Sequence, residues 1–72
     1  MTAVPGVVVS FDESVGLGVV EETENPARYP FHCTQIADGT RTITVGIAVR
    51  FHVVAGHQGR WEAADLRPIS GE

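Results

Sequence analysis

Ser14-Val15-Gly16-Leu17-Gly18-Val19-Val20 sets two glycines around one leucine inside a run of β-branched residues. Valines favour a strand, and glycines within a strand mark a bend of the sheet or a place where another group comes close to the backbone. Strand alternation predicts Leu17 and Val19 on one face and Gly18 and Val20 on the other. The expected neighbour is Tyr29-Pro30-Phe31-His32-Cys33. There Pro30 has no N–H to give to a ladder, which predicts an edge strand or a bulge.

Outward from this pair, the hydrophobic pattern keeps a period of two, and no heptad, repeat or low-complexity tract interrupts it. Strands are predicted at Gly6 to Phe11, Gly16 to Glu21, Arg28 to Cys33, from Gly46 through Val54, and at Arg60 to Pro68. The connections carry turn chemistry: Asp12-Glu13-Ser14, the acidic loop from Glu21 to Ala27, one helical turn over Thr34 to Ala37, Asp38-Gly39, and Ala55-Gly56-His57-Gln58-Gly59. The tail Ser70-Gly71-Glu72 is expected to fray. Five short strands suit a small closed barrel, because closure removes edges that so small a domain could not otherwise cover. Val8, Val20, Phe31, Val49, Phe51 and Val53 are the expected core.

With 72 residues the chain allows one domain, expected to fold over about residues 5–69 around one small core. Its single cysteine, Cys33, has no partner for an internal disulfide, and no basic leader or bilayer-length apolar run is visible. The expectation is a cytoplasmic protein with no membrane partner. Nine acidic residues against five arginines and no lysine give a net charge of −4. That balance weakens the electrostatic attraction on which nucleic-acid binders draw, although a local arginine patch can act on an acidic protein.

The motifs together resemble the cold-shock domain family. The family's first RNA-binding motif, K-G-F-G-F-I, shares its frame with Val15-Gly16-Leu17-Gly18-Val19-Val20, and its second, V-F-V-H-F, with Tyr29-Pro30-Phe31-His32-Cys33. Further along, Gly39-Thr40-Arg41-Thr42-Ile43 is similar to G-F-R-T-L, Val49-Arg50-Phe51-His52-Val53-Val54 to V-E-F-E-V-V, and Ala63-Ala64-Asp65-Leu66 to A-A-N-V, with one extra residue near Trp61. The resemblance covers nearly the whole chain. It implies a five-stranded antiparallel oligonucleotide/oligosaccharide-binding (OB) barrel that binds single-stranded RNA or DNA by stacking bases on aromatic rings.

Carried over residue by residue, the implied binding positions are Ser10, Phe11, Leu17, Val19, Pro30, His32, Cys33, Thr40 and Arg41. Most rings are lost: Ser10 stands for a tryptophan, and Leu17, Val19, Pro30, Cys33 and Thr40 stand for phenylalanines. Two lysines become Val9 and Val15, while Phe11, His32 and the basic residue at Arg41 persist. Each survivor has a plainer reading. Phe11 is a stacking platform or core filler, His32 a base contact or an ordinary strand histidine, and Arg41 a phosphate contact or a solvated side chain. Trp61 has no counterpart in the family, and packing in the core or at the barrel mouth is the favoured reading over a displaced stacking ring.

No nucleophile with its base, paired carboxylates or phosphate loop is spaced for catalysis, so no enzyme and no cofactor are expected. Gly16-Leu17-Gly18 is at most half a dinucleotide fingerprint and has no helix after it. A metal site from His32, Cys33, His52 and His57 is disfavoured because adjacent strand residues point to opposite faces. Two functions of different kinds remain. One is single-stranded nucleic-acid binding of reduced affinity; the other is a barrel that uses Leu17, Val19 and Pro30 to hold a protein partner or a second copy of itself.

Overall fold

In the computed structural model, residues 3–37, 39 and 41–69 are described, without the side chain of His57. The chain is all-β, with β1 at Val4–Asp12, β2 at Leu17–Glu22, β3 at Arg28–His32, β4 at Ala48–Ala55 and β5 at Trp61–Pro68. One antiparallel sheet holds all five in the order β3-β2-β1-β4-β5. Pro30 accordingly sits in an edge strand, where its missing N–H costs the ladder nothing on the open side.

The sheet curls but does not close. β3 packs against β5 without a ladder, and the seam is held by the segment that follows β3. Here Cys33–Gln35 form a 3-10 turn, Ile36 makes a single parallel bridge to Leu66, and the Ala37 N–H donates to the Leu66 carbonyl at 2.8 Å. The closed barrel read from the sequence is thus corrected to a barrel-like shell. Two bulges bend it. One lies in β1 between Val8 and Ser10; the other offsets Arg50 and His52 from their β5 partners, where Asp65 takes a φ of 54°.

The core consists of Val8, Val20, Phe31, Ile36, Val49, Phe51, Ala63 and Leu66. Val53 is only half-buried because it lies near the open end of β4, and Ile36, Ala63 and Leu66 complete the interior instead. The bulge at Asp65 explains how Ala63 and Leu66, three residues apart, both point inward. Trp61 shares the inward side of β5 with Ala63. It starts the strand beyond the last covering layer, is 60% exposed, and so corrects the expectation that it packs.

Strand boundaries shift where turns take residues from strands. β1 starts at Val4 rather than Gly6, and Gly16, with φ of 71°, belongs to the turn whose N–H donates to Asp12. Cys33 opens the 3-10 turn rather than ending β3. Gly46, with φ of 96°, closes a turn ahead of β4, which begins at Ala48, and β5 begins at Trp61 rather than Arg60. Residues 41–45 form a loop ahead of β4. Asp38 and the tail 70–72 lie outside the described residues.

Candidate nucleic-acid interface

Cross-strand register builds the outer face of β1–β2–β3. Directly paired residues share a face, so Ser10, Val19 and Pro30 form one row across the three strands, and Asp12, Leu17 and His32 form the next. Leu17 is 51% exposed, Val19 half-buried and Pro30 exposed. A shallow hollow of about 390 Å³ is lined by Ser10, Phe11, Asp12, Leu17, Gly18, Val19 and Pro30. A second, of about 250 Å³, runs over the seam between β3 and β5 and is lined by Leu17, Pro30, Phe31, His32 and Glu62.

Phe11 belongs to the interior row, not this outer one. It pairs with Gly18, which pairs with Phe31, and the two rings stack with centroids 6.0 Å apart. Phe11 is half-buried and still lines part of the first hollow. The bulge between Val8 and Ser10 is the cause: unbroken alternation from buried Val8 would turn Ser10 inward and Phe11 outward, and the extra residue reverses both.

His32 is exposed at the edge of the face and caps the 3-10 turn. Its Nδ1 accepts from the Thr34 N–H at 3.2 Å and lies 3.0 Å from the Thr34 hydroxyl. With Nδ1 accepting, the neutral ring carries its proton on Nε2 and offers it as a donor. Cys33 is partly buried beneath the face: its N–H donates to the Gly16 carbonyl at 2.8 Å, and its Sγ would lie 2.8 Å from a Cβ on Gly16. The glycines flanking Leu17 thus serve the protein's own packing. Gly16 makes the turn over Cys33, and the space above Gly18 is filled from inside by Phe31.

Arg41 is exposed in the loop before β4, with φ of 64°, and lines neither hollow. Thr40 lies outside the described residues. Among the described residues, the charged groups that do line the hollows are the carboxylates of Asp12 and Glu62. The Ser14 hydroxyl donates to Asp12 Oδ1 at 2.6 Å and the Ser14 N–H at 3.0 Å, which lowers the Asp12 pKa below its ordinary value. Sequence reasoning saw Asp12 as a turn residue, and the Asp-x-Ser spacing was the available signal for its anchored charge. Glu62 had no signal, because only the packing of β5 on β3 brings it to the face.

Among the described residues no three His, Cys, Asp or Glu side chains gather to hold a metal ion, and no helix is long and apolar enough to cross a membrane. No family model matches the chain, and no curated protein matches it.

Proposed function

We propose that the protein is a cold-shock-like OB domain whose β1–β2–β3 face meets single-stranded RNA or DNA with reduced affinity. The observation that carries this reading is the register, which gathers Ser10, Leu17, Val19, Pro30 and His32, five of the positions that the resemblance assigns to binding, on one continuous outer face. The strand order, with the chain after β3 returning parallel to β5, is also the order an OB barrel requires. Reduced affinity follows from the missing rings, each worth about 1–3 kcal/mol per stacked base, and from the acidic neighbours Asp12 and Glu62.

A second reading is favoured by those same walls. An apolar hollow bounded by carboxylates and holding no arginine among the described residues is suited to a protein partner or a second copy of the chain. Titration of a labelled pyrimidine-rich heptanucleotide, followed by fluorescence anisotropy with parallel amide NMR, tests the choice. Micromolar or weaker binding with shifts at Leu17, Val19 and His32 supports the nucleic-acid reading. An unresponsive face together with a concentration-dependent dimer supports the second.

A further inference from the structure

The charges of this acidic protein are unevenly distributed. Residues 12–24 carry five carboxylates, Asp12, Glu13, Glu21, Glu22 and Glu24, and no arginine, whereas Arg50, Arg60 and Arg67, three of the five arginines, belong to the β4–β5 hairpin. Arg50 and Arg67 are direct partners across the two strands. Like charges set opposite each other disfavour a sheet, so this pair works against the stability of the fold.

Around the pair lies a hollow of about 350 Å³ lined by Ala3, Arg50, His52, Asp65, Arg67, Pro68 and Ile69. It opens on the outer side of β4 and β5, and shares no lining residue with the hollows of the β1–β2–β3 face. The bulge at Asp65 turns its carboxylate toward Arg67, with Arg67 Nε 3.3 Å from Oδ2, and His52 Nε2 lies 3.8 Å from the same oxygen. One carboxylate therefore serves two partners. Among the described residues no carboxylate pairs with Arg50, and the buried Nδ1 of His52 has no hydrogen-bond partner. The Arg67–Asp65 contact is exposed, and such pairs exchange readily for a better acceptor.

We infer that the hollow walled by Arg50, Arg67 and His52 is a binding site for a phosphate group. Two guanidinium forks on facing strands match the oxygens of a phosphate, and their mutual repulsion is relieved when it binds. The phosphate comes either from free inorganic or monoester phosphate or from the backbone of a nucleic acid. This site stands apart from the proposed β1–β2–β3 interface, and its test does not depend on that face.

The experiment is an NMR titration of the isotope-labelled full chain in two arms, one with inorganic phosphate and one with a single-stranded heptanucleotide lacking a terminal phosphate. The expected result is movement of the Arg50 and Arg67 Nε–H signals and of the His52 and Arg67 amides in at least one arm. A response to inorganic phosphate alone assigns the site to free or monoester phosphate; a response to the oligonucleotide assigns it to a backbone phosphodiester. Arg50→Gln should weaken the responding ligand at least about tenfold, with affinity read from the His52 and Arg67 amide shifts, since it removes charge-assisted hydrogen bonds. The variant should melt no lower than the parent, because it also removes a like-charge contact. Unmoved arginine signals in both arms would overturn the inference, as would an unchanged affinity in Arg50→Gln.

Discussion

Phe11 and Phe31 stack across an intervening strand, with ring centroids 6.0 Å apart and planes 7° from parallel. The residue between them in the register is Gly18, whose bare backbone leaves room for the Phe31 ring to lean over β2 toward Phe11. An aromatic ring at a position that the resemblance assigns to binding is thereby committed mainly to internal packing. The outer face is left to Leu17, Val19 and Pro30.

A methyl group at position 18 should not be tolerated. In Gly18→Ala the new Cβ would lie 2.5 Å from Phe31 Cζ and 2.8 Å from the Ser10 carbonyl oxygen, so the ring pair or the β1–β2 ladder must shift. Overpacking of this kind costs about 1–3 kcal/mol, a large share of the stability of a small domain. Thermal or denaturant melts should show the loss. An unchanged melting temperature would mean that Phe31 does not close over Gly18.

Tyr29 makes the stability of the fold depend on alkaline pH. Burial first, and then the nearby Glu22 carboxylate that accepts a hydrogen bond from its hydroxyl at 3.4 Å, raise its pKa above the ordinary value. Below about pH 10 the phenol is protonated in both states and its contribution is fully present; as pH rises further the unfolded chain ionises first, and stability falls. Because the chain has one tyrosine, tyrosinate absorbance reads this group alone. The midpoint should lie higher in the folded protein than in denaturant, and Glu22→Gln should lower it. Equal midpoints in the folded and denatured chain would contradict the partial burial of Tyr29 and its contact with Glu22.

Period-two alternation carried most of the architecture into the sequence. Val8, Val20, Phe31, Val49 and Phe51 were legible as core because each lies on an uninterrupted stretch of its strand. Alternation fails at bulges, which change the parity of everything beyond them. That is why Phe11 could not be assigned to a face from sequence, and why Ala63 and Leu66 both turn inward. Ile36 was missed for another reason: one apolar residue after a 3-10 turn has no period, and its burial depends on the bridge to Leu66. At the candidate interface, Leu17, Val19 and Pro30 were readable from their places in the strands. Glu62 was not, since it arrives by the packing of β3 on β5.

Whether the face of Leu17 and Val19 meets single-stranded nucleic acid, as proposed, is read from the affinity of a heptanucleotide for Leu17→Phe with Val19→Phe. Both side chains stand on the outer face, Leu17 at 51% exposure and Val19 half-buried, so the rings can be added without entering the core. Each usable ring is worth about 1–3 kcal/mol, so binding should tighten at least about tenfold. The salt slope should stay unchanged because no charge is added. A folded double variant with no gain in oligonucleotide affinity would contradict the nucleic-acid reading of this face.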